Sequence, residues 1–422
     1  MSRLSKFFTL LGPGLTTGAA DDDPSGIATY SQTGAQFGYG QLWTALYMLP
    51  FMIAVQEACA RIGIVTGKGI AAVVRDYYSK RILYSVVGIV VVANILNIGA
   101  DIGAMAAATQ LLLPGIPFVV LTLCFTTGML LLEVFTNYRI YSRILKWLAF
   151  ALLAYPVTVF IIHQDWPVVL RATVSPHLEF SFAFLFIITG VFGTTITPYM
   201  FFWESSQEVE EQKARNARAS SPEKLNWKLI RAMRLDNTFG MVISEITTWS
   251  IILVGAAVLH DSGIRDIKDA SDAARALEPL VHTFPHAGFL AKLIFSIGIV
   301  GLGLLAVPVL SGSAGYAVSE AFNWGASLDL KPRNARGFYG VIIISTIIGL
   351  LINFIGINPV KALVYTAVLN GVAAVPLLFL ITRIASSEKI MGQYKNGLLS
   401  KALLWLTFII MAAAVIALCF TL

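Results

Sequence analysis

Long apolar segments separated by short polar loops recur along the whole chain. Of its 422 residues, 57% are hydrophobic and only 13% are charged, about half the charged share of a soluble domain. Eleven apolar segments approach the roughly 20 residues that a helix needs to cross a bilayer. They lie at 8–36, 42–63, 82–108, 116–134, 144–162, 181–207, 236–259, 286–316, 338–357, 361–382 and 401–421. We therefore predict an all-α polytopic membrane protein with eleven spans.

Two of these segments are interrupted by residues that do not suit a lipid-facing helix. The first contains Asp-Asp-Asp-Pro-Ser-Gly at 21–26, and the sixth contains Thr-Thr-Ile-Thr-Pro-Tyr at 194–199. Proline lacks the backbone N–H of a helix, and glycine adopts conformations that other residues avoid. Irregular backbone at membrane depth is tolerated where it lines a cavity, so we predict two broken helices whose freed oxygens face a cation. The alternative for the first segment is two short interfacial pieces with their aspartates among the lipid headgroups.

The second break lies five spans after the first. Two halves of five spans, each opening with an interrupted helix, are typical of an inverted-repeat transporter. We predict a first repeat over 1–163, a second and inverted repeat over 180–383, and an eleventh transmembrane helix over 400–422 outside the repeat. The two breaks would then meet near the bilayer midplane.

Positive charge alternates from loop to loop. The N-terminus and the loops after spans 2, 4, 6, 8 and 10 hold all but six of the 30 Lys and Arg residues, and such an excess marks the cytoplasmic side. We predict a cytoplasmic N-terminus and a C-terminus outside. The basic residues form no single patch, so nucleic acid is not an expected partner; the expected partners are a metal ion and the lipid bilayer, and the oligomeric state is left open.

Several other functions are disfavoured by the residues that are missing from the spans. Cys59, Cys124 and Cys419 lie in apolar segments without the spacing of a disulfide framework or a zinc site. No Ser/His, Cys/His or His-Glu-x-x-His pattern occurs in a span, and no nucleotide-binding motif is present. We therefore expect neither an enzyme nor an ATP-driven pump, and no cofactor.

Short motifs in the first half of the chain closely resemble the Nramp divalent-metal transporters. These are Gly12-Pro13-Gly14, Asp23-Pro24, Gln-Phe-Gly-Tyr at 36–39 and Arg-Ile-Gly-Ile-Val-Thr-Gly-Lys at 61–68, with Pro198 at the family's second break. The resemblance covers spans 1 to 10. It implies a LeuT-like fold, an ion held between helices 1 and 6, alternating access around it, and a location in a bacterial plasma membrane.

Two departures from the family pattern concern the ion ligands. Typical members read Asp-Pro-Gly-Asn in helix 1, whereas Gly26 stands here at the asparagine position; they read Met-Pro-His in helix 6, and here Thr197 and Tyr199 flank Pro198. A thioether selects soft transition metals, whereas hydroxyl and carboxylate oxygens suit hard ions. Mg²⁺ keeps several of its waters and touches one or two carboxylates. The pattern is similar to the Nramp-related magnesium transporter branch.

The predicted ion site combines residues from both breaks. Asp23 is expected to be the principal carboxylate, although it could also cap the second half-helix. Asp22 either adds a second carboxylate or pairs with a basic group, and Asp21 is expected to face solvent in a vestibule. Thr194 and Thr197 offer hydroxyls, with bonding to their own backbone as the alternative.

Further polar residues inside the spans are candidates for the ion pathway. Glu204 lies two turns beyond Thr197 and either lines the path or pairs with Arg383. Glu57 is expected to form an i, i+4 ion pair with Arg61. The remaining pathway candidates are Asn97, Asp101, Glu245 and Asn370.

These observations predict a secondary transporter that moves a partly hydrated divalent cation, Mg²⁺ first and Mn²⁺ as a second substrate, into the cytoplasm. The five histidines lie in loops or at span ends, so we expect transport that is not tightly coupled to protons. The alternatives are a proton-coupled Mn²⁺/Fe²⁺ importer, an organic-substrate symporter of the same architecture, and a sensor that keeps the fold without transport.

Overall fold

The regular structure is helical throughout the part of the chain that the structure describes. The structure is a computed structural model, and it describes residues 17–18, 21–135, 150–218, 225–328 and 330–421. In chain order the helices are α1 (Pro24–Phe37), α2 (Trp43–Thr66), α3 (Ile70–Tyr77), α4 (Lys80–Gln110), α5 (Phe118–Phe135), α6 (Ala154–Ile161), α7 (Trp166–Val174), α8 (Phe182–Thr195), α9 (Pro198–Arg218), α10 (Trp227–Val254), α11 (Ala270–Arg275), α12 (Glu278–Val281), α13 (Ala287–Ala321), α14 (Arg336–Ile352), α15 (Pro359–Ala385), α16 (Glu388–Met391) and α17 (Leu398–Thr421).

Within the described residues, eight helices are long and apolar enough to cross a membrane. They are α2, α4, α5, the broken pair α8 and α9, α10 with its continuation, α13, α15 and α17. The predicted ninth span is the shorter apolar helix α14, whose last helical residue is Ile352. The predicted first and fifth spans extend into residues outside the described ranges, so their full lengths remain predictions.

Helix starts follow from local capping chemistry, because the first backbone N–H groups of a helix lack partners within it. The Ser79 hydroxyl accepts from the N–H of Ile82 at the start of α4. The Asn226 side chain accepts from the N–H of Leu229 at 2.9 Å and begins α10. These caps place the starts of two long helices at the polar residues that precede their apolar runs.

Helix α1 lies at the centre of the bundle. It packs against α8, α10 and α15, while α4 packs against α13, α14 and α15. Helix α17 contacts α15, α8 and α2 and is otherwise mostly exposed at the periphery. Helix α17 therefore lies at the edge of the described helices.

One close approach of α1 to its neighbour depends on glycine. Helix α10 continues into a π-helical turn, Gly255–His260, and α1 packs directly on it. A Cβ on Gly34 would lie 2.2 Å from the carbonyl oxygen of Ile252, closer than two such atoms can approach. The missing side chain therefore allows backbone-to-backbone contact between α1 and α10.

A buried ion-pair network stabilises the C-terminal half of α2, and it contains the predicted pair of Glu57 with Arg61. Arg61 is fully buried, and its guanidinium lies 3.0 Å from the carboxylate of Glu57 one turn earlier. Arg234 of α10 contacts the other Glu57 oxygen at 2.7 Å. Arg61 also donates to the side chain of Asn396. Glu57 is therefore a structural residue that joins α2 to α10.

Candidate metal-binding site

Asp23 occupies the point where helix 1 resumes after its break. Its Oδ1 accepts from the N–H of Gly26 at 2.8 Å and from the Ser25 hydroxyl at 2.7 Å, so it caps α1 with Pro24 at the first helical position. Its Oδ2 accepts from the Tyr199 hydroxyl at 3.2 Å. Each carboxylate oxygen has two lone pairs, so Oδ1 is saturated and Oδ2 keeps one acceptor position.

The second break lies between α8 and α9. Helix α8 ends at Thr195 and α9 begins at Pro198, leaving Ile196 and Thr197 outside regular helix. Pro198 cannot donate a backbone hydrogen bond, and it disfavours helical backbone at the residue before it. The hydroxyls of Thr194 and Thr197 are buried and have no hydrogen-bond partner of normal length among the described residues. The predicted interruption of this span is therefore confirmed.

The two breaks lie directly against each other. The hydrogen bond from Tyr199 to Asp23 crosses from one to the other. A Cβ built on Gly26 would lie 3.2 Å from the Thr194 hydroxyl oxygen, which shows how closely the two segments approach. The Tyr30 and Thr195 hydroxyls make a second link at 3.1 Å.

The three consecutive aspartates do not converge on one point. The Ser244 hydroxyl of α10 lies 2.9 Å from an oxygen of Asp21 and 3.2 Å from one of Asp22. Glu245 is the next residue and interacts electrostatically with both aspartates. Asp23 faces α9 instead. The prediction that Asp21 faces solvent is wrong, since only 1% of the residue is exposed; the contact with α10 buries it.

The predicted pathway residues do not share one setting. Asp101 is fully buried, its two oxygens have no hydrogen-bond partner among the described residues, and it interacts electrostatically with Asp23. Glu204 accepts from the hydroxyl of Thr17, just before the first break.

The amides of Asn97 and Asn370 bind each other at 2.8 and 3.2 Å. Each side chain thereby satisfies part of the hydrogen-bonding capacity of the other. This reciprocal pair joins α4 to α15 and leaves neither amide wholly free for an ion.

Comparison with known proteins identifies the family. A profile described as natural resistance-associated macrophage protein-like (Nramp) matches residues 14–421. The chain belongs to the Nramp family. It is 27% identical to a divalent metal cation transporter MntH of Ralstonia nicotianae over 97% of this chain and 90% of that protein. A second MntH, from Aeromonas hydrophila, is also 27% identical, over 93% and 91% of the two chains.

Solved structures give the same fold. A manganese transporter of Eremococcus coleocola, in a mutant form with one histidine replaced by alanine, superposes with a TM-score of 0.76 at 17% identity, covering 98% of this chain and 87% of that one. The nucleobase-cation symporter Mhp1 superposes with a TM-score of 0.59 at 15% identity over 98% of this chain and 93% of its own. The predicted LeuT-like helical fold is confirmed. This Nramp chain is an integral membrane protein and not an enzyme, as predicted.

Several polar contacts of this Nramp chain were not predicted. The sequence marks Tyr199 only as a departure from the family's histidine, whereas its hydroxyl donates to Asp23 in the structure. Glu133 of α5 was not singled out; it accepts from the Ser311 hydroxyl of α13 at 2.9 Å. An acid in an apolar span is itself a signal of a special role. The bridging position of Ser244, in contrast, has no signature in the sequence.

No ready-made metal centre is present among the described residues: no three His, Cys, Asp or Glu side chains are grouped closely enough to hold an ion. Where the two breaks meet, the groups that can bind an ion are the free acceptor position on Asp23 Oδ2 and the hydroxyls of Thr194 and Thr197. Such a set can hold a hard ion that keeps part of its own water shell.

Proposed function

We propose that this Nramp protein carries a divalent cation into the cytoplasm by alternating access, binding it where the two helix breaks meet. The observation that carries the proposal is the Tyr199 hydroxyl donating to Asp23 at 3.2 Å, because it brings the two breaks to a shared carboxylate. The names of the relatives as divalent metal cation transporters support the same substrate class. The two predicted repeats, 1–163 and 180–383, would move against each other around this site.

The proposed ligands are all oxygens. Asp23 Oδ2 supplies the negative charge, and Thr194 and Thr197 supply unbonded hydroxyls. Asp22, which was predicted as a possible second carboxylate, accepts from Ser244 of α10 and is not a proposed ligand of this site, and Gly26 supplies no side-chain ligand. Oxygen donors favour Mg²⁺ and other hard ions over soft transition metals.

Partly hydrated Mg²⁺ is the proposed preferred substrate. An asparagine side chain at position 26 would crowd the Thr194 hydroxyl, because even a Cβ there would lie only 3.2 Å from the hydroxyl oxygen. Glycine lets the two breaks approach this closely, and we propose that the same position admits an ion-bound water when the breaks separate. Mg²⁺ releases its water reluctantly and is often held by one or two carboxylates, so a site with few direct ligands suits it.

Mn²⁺ is the second candidate substrate. The likeness to a transporter described as a manganese transporter favours it, and Mn²⁺ also accepts oxygen ligands. The missing thioether argues against a site that selects Mn²⁺ over Mg²⁺. The two substrates are therefore to be compared in the same preparation.

Transport is proposed not to be tightly coupled to protons. The five histidines lie outside the two breaks, and Asn97 is engaged with Asn370. The carboxyl groups of Asp101, Glu204 and Glu245 are among the buried groups that are available to a proton path. A pH dye inside liposomes during Mg²⁺ entry tests this, and stoichiometric acidification would contradict it.

The main experiment is metal flux into proteoliposomes, with Mg²⁺ and Mn²⁺ side by side. We expect Mg²⁺ entry that is abolished by Asp23→Ala. Glu133→Gln serves as the control, because it alters another buried acid outside the two breaks. Mn²⁺ entry without Mg²⁺ flux would contradict the hard-ion argument, and no flux of either ion would favour an organic substrate or a sensor.

The orientation of the chain is also proposed: N-terminus in the cytoplasm, C-terminus outside, in the bacterial plasma membrane. With Cys59, Cys124 and Cys419 replaced by serine, an impermeant maleimide added to intact cells should label the variant Leu422→Cys but label Ser2→Cys only after lysis. The opposite pattern would overturn the orientation derived from the basic loops.

A further inference from the structure

A second group of carboxyls lies on the α10 side of the helix 1 break. It consists of Asp21 and Asp22 from the break and Glu245 from the middle of α10, and we call it the α10 acidic group. Ser244 joins its two aspartates, with its hydroxyl oxygen 2.9 Å from Asp21 and 3.2 Å from Asp22. One hydroxyl has only one proton to donate, so it cannot satisfy both aspartates fully.

The group contains buried oxygens without partners. Only 4% of Glu245 is exposed, and neither of its carboxyl oxygens has a hydrogen-bond partner among the described residues. Oδ1 of Asp21 is buried and unpartnered as well. Glu245 interacts electrostatically with Asp22, and Asp21 interacts with both. An unbonded carboxyl held beside two others inside a membrane protein is costly unless a ligand joins them.

No basic side chain balances these carboxyls in the described part of the chain. The salt bridges there involve Glu57, Asp76 and Glu388, and none includes a member of the α10 acidic group. Carboxyl groups buried together are stabilised either by a bound counter-charge or by protons.

We propose that the α10 acidic group is a second binding site for a hydrated divalent cation, separate from the site at Asp23. This site goes beyond the proposed function, which needs only one ion. The donors are carboxylate and hydroxyl oxygens, which select hard ions. The carboxyls are not grouped closely enough for direct three-way coordination, so the ion is held through its own water molecules, as Mg²⁺ commonly is.

The backbone at the break explains why consecutive residues serve two sites. Asp23 has extended backbone, with φ −65° and ψ 172°, and extended residues direct successive side chains to opposite sides. Asp22 accordingly contacts Ser244 of α10, whereas Asp23 contacts Tyr199 of α9. The break therefore divides its acids between the two helices.

Counting bound ions tests the proposal. Mn²⁺ is the probe, because the free ion has a sharp electron paramagnetic resonance spectrum that is lost on binding. The purified full-length protein should bind two Mn²⁺ ions per chain. Glu245→Gln and, as a second variant of the same site, Asp21→Asn should each bind one, whereas Glu133→Gln should still bind two.

The variant Asp23→Asn separates this proposal from the proposed function. If both are correct, it binds one ion and the double variant with Glu245→Gln binds none. Suppose instead that the unmodified protein binds one ion, which Asp23→Asn loses and both Glu245→Gln and Asp21→Asn keep. This result would overturn the second site and leave the proposed function standing. It would mean that protons neutralise the α10 acidic group. If the unmodified protein binds one ion that Glu245→Gln loses and Asp23→Asn keeps, the placement of the transport site at Asp23 is wrong.

Discussion

Adding one methyl group at Gly26 tests whether a hydrated ion uses the space between the breaks. In Gly26→Ala the new Cβ would lie 3.2 Å from the Thr194 hydroxyl oxygen and 3.3 Å from a ring carbon of Tyr30. Both neighbours are side chains that can shift by a few tenths of an ångström. Alanine is also preferred over glycine inside a helix by up to ~1 kcal/mol, so we expect a folded protein of nearly unchanged stability.

The expected cost falls on the ion. A methyl group occupies about the volume of one water molecule, ~30 Å³, so the substitution removes about one water from the shell of the bound ion. Losing one hydrogen bond to a charged partner costs about 1.5–3 kcal/mol. This corresponds to a roughly 10- to 150-fold weaker affinity, so the KM for Mg²⁺ uptake into proteoliposomes should rise by a factor in that range.

Gly34→Ala is the matched control, since it makes the same change later in the same helix. Its Cβ would meet the Ile252 carbonyl oxygen at 2.2 Å, and backbone atoms cannot yield as side chains do. Overpacking of this kind costs roughly 1–3 kcal/mol or more, so the thermal unfolding temperature should fall. An unchanged Mg²⁺ KM in a well-folded Gly26→Ala protein would refute the idea that water fills this space.

Three further predictions concern selectivity and packing. Thr197→Met, which adds a soft thioether at the second break, should raise Mn²⁺ uptake relative to Mg²⁺ by roughly tenfold, or ~1.4 kcal/mol; an unchanged ratio in a dual-metal flux assay would place residue 197 away from the ion. Glu57→Gln leaves Arg61 buried without its carboxylate and should cost about 3–5 kcal/mol in the free energy of unfolding. Arg234→Gln removes only the half-exposed partner of Glu57 and should cost less than ~1 kcal/mol. Equal shifts of the unfolding temperature in these two variants would contradict the idea that the buried pair of Glu57 with Arg61 is the stabilising one. Gly193→Ala would place a Cβ 2.1 Å from a backbone carbonyl oxygen of α15, so it should lower the yield of monodisperse protein in size-exclusion chromatography, and a normal yield would argue against this packing.

The helix breaks were predictable because their causes are local. Pro24 and Pro198 each remove a backbone donor, and a proline acts on its own turn whatever surrounds it. The apolar segments likewise gave the long spans, because length and hydropathy are properties of a single segment. The ion pair of Glu57 with Arg61 was predictable for the same reason, since four residues on a helix place two side chains together.

The direction of side chains at the break was not predictable. Asp21, Asp22 and Asp23 are chemically identical neighbours, and their different partners depend on how α9 and α10 pack around one short irregular segment. Ser244 looks like any serine in an apolar helix. The pairing of Asn97 with Asn370, 273 residues later, depends in the same way on the contact between α4 and α15.

The two described residues before the break, Thr17 and Gly18, contact the two helices that hold both acidic sites. Thr17 donates to Glu204 of α9, while Gly18 approaches Gly240 of α10 so closely that a Cβ would lie 2.5 Å from its carbonyl oxygen. This segment therefore rests on the same two helices that hold Asp23 and the α10 acidic group. A movement of this segment away from both helices must break the Thr17 contact and open the close approach of Gly18 to Gly240. Release of an ion from Asp23 and access to the second group are accordingly expected to share one conformational change.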